Sequence, residues 1–402
     1  MSRSISWTTI LECTGAGPRS TLANAVAVLQ RDPLWSGLVF WYDEFLDRVL
    51  IANSPVREWR DDDDTRVAIH MQEVIKMSGL SESQAASAVR YVARQRTRHC
   101  VREEFEALVW DRVPRLEHAL EDYWGAEASA QQPSEYLRAV SANLFLGMVA
   151  RVFRPGCQLD TMVIFEGPQG IGKSRALRIL GGSYYMLAAE SVTHKDFFQS
   201  FPGKLIIEVG EMDAFSRADR ERIKLAISTP IDRYRSSYGR RAEDHPRQCI
   251  FIGTTNRDDY GNDDTGLRRF LPVRCGLIDC ERFALARPQL LAEAVHRFKA
   301  GEAWWHTPVD PTLAVQRDRQ ADDIWTVDVL TWLIGRADVT SAEVLAGALK
   351  VRLSDMDRMA QLRVGSILRL AGWKRQTIRR EGHVVKAWVS PTVTDADSEP
   401  FS

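Results

Sequence analysis

Net charge is almost absent from this chain: 53 lysines and arginines face 54 aspartates and glutamates, for a formal charge of -1. A molecule so balanced does not attract polyanions as a whole, so any nucleic acid must be held by local basic clusters. Lysine is scarce, nine against 44 arginines, a bias that fits a GC-rich coding genome. The six cysteines (Cys13, Cys100, Cys157, Cys249, Cys275 and Cys280) form no Cys-x-x-Cys pair. That argues against a zinc knuckle or a disulfide framework and for reduced thiols. No apolar run approaches the ~20 residues that span a bilayer. Met1 to Trp7 also lacks the apolar stretch of a secretory signal. The expectation is a soluble, cytoplasmic protein with no membrane partner. Internal repeats are absent too. What remains, 45% hydrophobic and 27% charged over 402 residues, is the mixture of a globular chain of two or three domains.

Residues 1–135 read as a mostly helical N-terminal domain. Leu22, Ala25, Val26, Val28 and Leu29 form an apolar stripe that stops at Asp32-Pro33. Leu38 to Tyr42 is a short apolar run of strand type. Asp61 to Asp64, four acids in a polar stretch, reads as a solvated loop. Helical periodicity returns over 83–123, and Ala126 to Ser134 reads as a linker. Over 136–310 the pattern changes: Met162 to Phe165, Leu205 to Ile207 and Cys249 to Ile252 are continuous apolar runs between helical segments. Such alternation predicts an α/β domain around a largely parallel sheet buried on both faces. Residues 320–390 predict three helices and then a hairpin from Trp373 to Trp388 turning at Glu381-Gly382, the plan of a winged helix-turn-helix. Residues 391–402 predict a disordered tail.

The chemistry concentrates in the middle segment. Gly167-Pro168-Gln169-Gly170-Ile171-Gly172-Lys173-Ser174 is a complete P-loop, preceded by a strand and followed by a helix that opens at Arg175. Glycines let successive backbone N–H groups curl around phosphates, and the helix N-terminus adds a favourable dipole. Lys173 is placed to reach the β and γ phosphates of ATP, and the Ser174 hydroxyl to hold Mg2+. Leu205 to Glu211 is an apolar strand ending in acids; Glu208 is assigned to the metal and Glu211 to the base that polarises the attacking water. The two roles are open to exchange, and Asp213 is a further candidate. Asn256 follows the strand Cys249 to Ile252 as a sensor of the γ phosphate. Arg268 and Arg269 come soon after, as candidates for an arginine supplied across a subunit boundary.

The order of these motifs resembles virulence-associated protein E, a family of phage, prophage and mobile-element proteins whose ATPase core is similar to the superfamily 3 helicases of the AAA+ class. Asp232 to Arg240, Trp110 to Leu116 and Arg154 to Asp160 also carry the resemblance, which runs from about Leu29 to the final hairpin. It implies a hexameric ring with ATP between subunits and single-stranded DNA through the pore, acting as a helicase in replication. Asn256 is then the sensor, and Arg268 or Arg269 the finger acting in trans. The segment from Thr229 to Arg247 is then a pore-side hairpin. Its Arg233, Arg235, Arg240 and Arg241 suit phosphates, and Tyr234 and Tyr238 suit bases or sugars; alternatively these arginines pair with Glu243 and Asp244 or line a subunit interface. Two departures stand out. Only about 130 residues precede the core, where a primase domain often stands in the family, and they carry no acidic polymerase motif, so primase activity is not expected here and a separate primase is one candidate partner. Arg112 also stands where the family's Trp-Asp-Gly turn has its glycine, which puts a tight turn there in doubt. In the final hairpin Lys374, Arg375, Arg379, Arg380 and Lys386, with Trp373 and Trp388, suit duplex origin DNA, although a winged helix serves equally well to dock a protein. A second class of function also fits a P-loop: a nucleotide-gated interaction protein that assembles on ATP and binds replication or phage components without unwinding.

Overall fold

The protein is described from a computed structural model covering residues 7–15, 17–52, 55–188, 197–210, 217–235, 241–256, 269–318, 325–380 and 383–391. These residues fall into two compact units, one holding those up to 256 with 269–316, the other those from 317 onward.

The first unit begins with a small hairpin, β1 (Cys13–Thr14) and β2 (Gly17–Pro18), then α1 (Leu22–Arg31). Thr21 caps α1 by accepting from the Asn24 N–H, and the face carrying Ala25, Val28 and Leu29 is buried as its spacing requires. Pro33 opens the short α2 (Pro33–Ser36). The apolar run becomes β3 (Phe40–Asp43), which pairs antiparallel with β4 (Arg48–Ile51), itself paired with β5 (Arg57–Glu58). The four acids are not a loop. Asp61 to Asp64 form the first turn of α3 (Asp61–Glu73), where negative charge meets the positive end of the helix dipole. Asp63 accepts from the Arg60 N–H at 2.9 Å and from both terminal nitrogens of Arg57 at 2.6 and 2.8 Å, while Asp64 accepts from the Trp59 ring N–H at 3.0 Å. With α4 (Glu82–Arg94) these elements close a hydrophobic cluster around Val28, Phe40, Met71 and Val89.

After α4 the chain joins a second, larger cluster. α5 (Cys100–Glu106) is capped by His99, whose Nδ1 accepts from the Arg102 N–H at 3.1 Å. Its Nε2 lies 2.7 Å from the Gln248 amide oxygen, and the Gln248 amide nitrogen donates to the Glu44 carbonyl. These bonds fix a neutral, Nε2-protonated ring, and burial pushes its pKa below the ordinary 6.5. The unfolded chain takes up this proton near pH 6.5 and the folded chain only at lower pH, so the contribution is complete above 6.5 and declines as pH falls below it. Thermal unfolding of the parent and His99→Gln at pH 7.5 and 5.5 checks this: the parent is expected to lose more of its midpoint on acidification than the variant does.

Arg112 adopts a left-handed φ of 68°, so the tight turn forms without glycine. Asp111 holds it, accepting from the Val113 N–H at 3.0 Å and from two Arg115 nitrogens at 2.7 Å each. The expected linker is anchored at both ends, Ala126 and Gln132, while Glu127 to Gln131 between them are exposed. α6 (Ala119–Trp124) ends on left-handed Gly125, whose carbonyl accepts from the Gly276 N–H at 2.9 Å; a Cβ on Gly125 would lie 2.9 Å from the Leu277 carbonyl oxygen. Ala126 is buried, and the Gln132 side chain bonds the backbone of Arg274 at both its ends. α7 (Ser134–Phe153) then crosses the core. Contrary to the sequence expectation it is long and apolar enough to cross a membrane by length and composition, but 78% of that window is buried inside the protein.

Against α7 lies a five-stranded parallel sheet: β6 (Met162–Glu166), β7 (Tyr185–Leu187), β8 (Ile206–Val209), β11 (Ile250–Thr255) and β12 (Phe270–Arg274), in the order β12-β6-β11-β8-β7. Its three central strands are buried at every position, as the continuous apolar runs require. Helices α8 (Lys173–Gly181), α9 (Arg217–Ser228), α10 (Cys280–Lys299) and α11 (Val309–Asp318) complete the unit, with a hairpin of β9 (Ile231–Tyr234) and β10 (Glu243–Pro246) leading into β11.

The second unit carries α12 (Thr326–Leu333), β13 (Asp338–Val339), α13 (Ser341–Gly347), α14 (Arg358–Leu370), β14 (Lys374–Arg380) and β15 (His383–Val389). Thr340 and Glu343 cap α13 reciprocally. The expected hairpin is present, with Arg380 opposite His383, and β13 adds a third strand beside β15. Trp373 and Trp388 lie buried against Val344, Ile367 and Leu368, so these two rings build the core of the unit and are not exposed on a ribbon. Beyond Pro391 the expected tail lies outside the described residues, as do Glu381 and Gly382.

Candidate functional site

In open α/β sheets ligands gather at the carboxyl ends of the strands. Here those ends carry Glu166 of β6, Val209 of β8 and Thr255 of β11, and β11 lies between the other two. The strand order therefore brings the residue after β11 beside both the loop after β6 and the acid of β8.

The loop from Gly167 to Gly172 needs glycine: φ is 144° at Gly167, 89° at Gly170 and 105° at Gly172, values other residues rarely adopt. Ile171 accepts from the Ile278 N–H, which anchors the loop's base, while Pro168, Gln169 and Gly170 are exposed at its lip. Lys173 opens α8 with its side chain buried and folded back over the loop. Its Nζ donates to the carbonyls of Gly167 (2.5 Å) and Pro168 (3.0 Å) and to Asn256 Oδ1 (3.2 Å). Ser174 donates to Glu208 Oε1 at 2.6 Å. Arg175 is exposed on the first turn of α8.

Glu208 is 1% exposed, and its carboxylate is compensated by three hydroxyl donors. Thr254 donates to Oε1 at 2.8 Å and Tyr185 to Oε2 at 2.6 Å, besides Ser174. Burial and the adjoining carboxylate raise the Tyr185 hydroxyl well above its ordinary pKa, so it remains a donor. Tyr185 and Thr254 were not singled out by sequence. Thr254 lies two residues past the marked run Cys249 to Ile252, whereas Tyr185 lies in the run Tyr184 to Ala189, which was not read as a strand.

Lys173, Ser174, Glu208 and Asn256 thus converge. Glu211, Asp213 and Arg268 lie outside the described residues. Arg269 does not join the group. It precedes β12, at the amino end of the sheet, where its Nε donates to Ser228 Oγ at 2.7 Å. Phe270 pairs with Met162 and Arg274 with Glu166, so five strand residues, about 16 Å at ~3.3 Å each, separate Arg269 from the loop of its own chain.

The hairpin differs from its sequence reading at Tyr234. That ring is half-buried and stacked on His245, with centroids 3.9 Å apart and planes 7° from parallel. Arg233 pairs with Asp244 across the hairpin at 3.0 Å, one of the alternatives foreseen. Arg235 and Arg241 are exposed, whereas Tyr238 and Arg240 lie outside the described residues. At the hairpin's root Arg247, buried, forms a two-pronged ion pair with buried Asp232 and donates to the Ala226 carbonyl. Asp232→Asn leaves that guanidinium uncompensated, and a loss of about 3–5 kcal/mol in unfolding free energy is expected by chemical denaturation; a loss under about 1 kcal/mol would show the pair to be idle.

Residues 105–323, more than half of the chain, match the family model described as the virulence-associated protein E-like domain. No curated protein matches the chain. Among solved structures, an A-form apo structure of the NrS-1 C-terminal region aligns at 13% identity, covering 90% of this chain and 98% of that one with a TM-score of 0.45. Two further apo structures of that region align with TM-scores of 0.42 and 0.43, at 13% and 14% identity and the same coverage.

Proposed function

This chain belongs to the virulence-associated protein E-like domain family, and from that premise we propose that it is an ATP-hydrolysing, ring-forming motor that moves on single-stranded DNA in the replication of a phage or mobile element. The observation that carries the proposal is the convergence of Lys173, Ser174, Glu208 and Asn256 at the carboxyl ends of adjacent parallel strands.

The residues present suit ATP with Mg2+. A buried ammonium now occupied by two loop carbonyls and an amide oxygen is placed to exchange them for phosphate oxygens. The Ser174 hydroxyl and the Glu208 carboxylate form a hard oxygen pair of the kind Mg2+ accepts. Held there, the metal would supply neutralisation of the charge that develops on the transferring phosphoryl group. The loop N–H groups and Lys173 bind and orient the triphosphate. Glu211, two residues beyond β8, takes the proton of a water whose oxygen bonds to the γ phosphorus as the bond to the β–γ bridging oxygen breaks, releasing ADP. Asn256 is placed to exchange its contact with Lys173 for one with the γ phosphate. Arg269, at the far edge of the sheet from its own loop, supports delivery of an arginine to a neighbouring subunit, with Arg268 as the other candidate. The AAA+ and winged-helix assignments, the hexamer, the cytoplasmic location, a separate primase and duplex DNA contacts by Lys374, Arg375, Arg379 and Lys386 belong to the same reading. Arg380 is better explained as structural, since it bonds Asp338 and Glu343.

The inward turn of Tyr234 and the pairing of Arg233 favour a second reading, in which the ring binds nucleotide and docks replication components without moving on DNA. ATP hydrolysis with and without single-stranded DNA separates the two: stimulation by the strand is expected, and turnover indifferent to DNA would move the assignment to the second.

A further inference from the structure

Two arginines meet at the carboxyl end of α9. Arg247 comes from the chain just before β11 and Arg269 from the residue just before β12, so both lie at the amino ends of the sheet strands, away from the nucleotide loop. A cation is welcome there, because the last carbonyls of a helix carry its negative pole. The two are held differently. Arg247 is buried and gripped on several sides. It donates to the Ala226 carbonyl and to both carboxylate oxygens of Asp232, and its own N–H donates to the Pro230 carbonyl at 2.9 Å. Arg269 is half-buried, and among the described residues its guanidinium makes one hydrogen bond, from Nε to Ser228 Oγ at 2.7 Å. Ser228 is the last residue of α9, and its hydroxyl proton is already committed to the Lys224 carbonyl one turn back, at 3.0 Å. The hydroxyl oxygen is thereby left as an acceptor, and Arg269 takes it.

The end of α9 and the root of the β9–β10 hairpin are built as one piece. Arg247 ties Ala226 of the helix to Asp232 of the hairpin, and only Thr229 and Pro230 separate Ser228 from Ile231, the first residue of β9. Pro230 stiffens that short connection, and the Thr229 N–H still bonds the Leu225 carbonyl at 3.0 Å. A displacement of the hairpin therefore carries Ser228 with it. Arg269 belongs to the other side of the joint. Its neighbour Phe270 pairs with Met162 on β6, and the Phe270 carbonyl accepts from the Gln316 amide at 2.8 Å, which fixes this point to the sheet and α11. The bond from Arg269 to Ser228 crosses between the two pieces.

We propose that Ser228 is a positioning residue that holds Arg269 in reserve, and that a single strand bound by the β9–β10 hairpin draws Ser228 away and frees the arginine for the γ phosphate of a neighbouring subunit. The proposal rests on the DNA-motor reading and on Arg269 as the arginine supplied in trans. Hydrolysis is then slow until DNA engages, because only subunits with a free arginine are competent and the bond keeps that fraction low. Ser228 touches neither nucleotide nor DNA; it acts through Arg269 alone.

The test is ATP turnover by the full chain at saturating ATP and Mg2+, with and without single-stranded DNA, beside a thermal melt. A hydrogen bond to a charged, half-exposed group shifts a population by about three- to tenfold. Ser228→Ala is therefore expected to raise turnover without DNA by that factor, to leave turnover with DNA near the parent value, and so to shrink the stimulation. Ser228→Thr keeps a hydroxyl able to bond the Lys224 carbonyl and is expected to restore the parent's behaviour. Arg269→Ala should lose DNA-stimulated turnover by roughly 10³-fold, and the rise should vanish when it is combined with Ser228→Ala. A serine that only caps the helix predicts the reverse: Ser228→Ala melts lower and turns over more slowly under both conditions. With a DNA-stimulated parent, three results overturn the proposal and leave the motor intact: unchanged or lower DNA-free turnover in Ser228→Ala, a rise that persists without Arg269, or full turnover by Arg269→Ala. A parent indifferent to DNA fails the motor reading and the release by a strand; the hold on the arginine then stands on an Arg269-dependent rise in Ser228→Ala and falls without one. A parent that hydrolyses no ATP overturns both.

Discussion

ATP hydrolysis is expected to fall by at least about 10²-fold in Lys173→Ala, with loss of measurable nucleotide binding. A single preorganised donor to developing charge is worth roughly 10²–10³ in rate, and Lys173 is a full cation, buried at 8% exposure where its field is poorly screened. Its ammonium spans the loop carbonyls, Gly167 and Pro168, and the Asn256 side chain of the neighbouring strand. Removing it therefore takes away the phosphate contact and the tie between loop and sensor. The variant is not expected to unfold, because the loop lip is exposed and water can reach the vacated carbonyls. Turnover and ATP affinity measured beside a thermal melt check this: an unchanged melt with turnover within about threefold of the parent would remove the nucleotide loop from the mechanism. Lys173→Arg is a sharper probe, since a planar fork cannot converge on the same three acceptors as a compact ammonium. It is expected to recover little activity.

The parts of this site legible in the sequence are those whose signal is local. The glycine spacing dictates positive φ at Gly167, Gly170 and Gly172, and an apolar run ending in a polar residue dictates a buried strand with that residue at its tip; Lys173, Ser174, Glu208 and Asn256 follow from these rules alone. Tyr185 does not. Its hydroxyl meets Glu208 because β7 pairs in parallel with β8, Leu187 opposite Glu208, a register that no short segment encodes. The misreadings have the same origin. Asp61 to Asp64 is polar enough for a loop, but the N-terminus of a helix welcomes acids, and Arg57 and Trp59 then engage two of them. Ala126 to Ser134 has the small and polar residues of a linker, and Glu127 to Gln131 are exposed as one would be, yet Gly125 and Gly276 allow two backbones to cross in contact and so bury Ala126 at its start. Tyr234 reads as an exposed partner for DNA because alternation in β9 says which residues share a face, but not that His245 on the paired strand waits behind one of them.

Glu208→Gln is expected to lower turnover by about 10- to 100-fold, with the Mg2+ concentration for half-maximal activity shifted upward. The carboxylate accepts from three hydroxyls at once, Ser174 and Thr254 on one oxygen and Tyr185 on the other. An amide of the same shape turns one of those oxygens into a donor, so at least one hydroxyl must rotate away, and the negative charge that would hold the cation is gone. If the NH2 faces Ser174, the hydroxyl assigned to the metal loses its orientation; if it faces Tyr185, the tie to β7 is broken. Tyr185→Phe separates these consequences, since it removes only the second tie. A carboxylate that merely holds the sheet together predicts that both variants lose stability, with turnover falling no further than the folded fraction does. A carboxylate that positions the metal predicts that Glu208→Gln loses turnover with its melting temperature nearly kept, while Tyr185→Phe retains most activity at saturating Mg2+. Hydrolysis by Glu208→Gln within about threefold of the parent across the Mg2+ titration would transfer the metal role to Glu211 or Asp213, leaving Glu208 as the buried acceptor that orders Ser174.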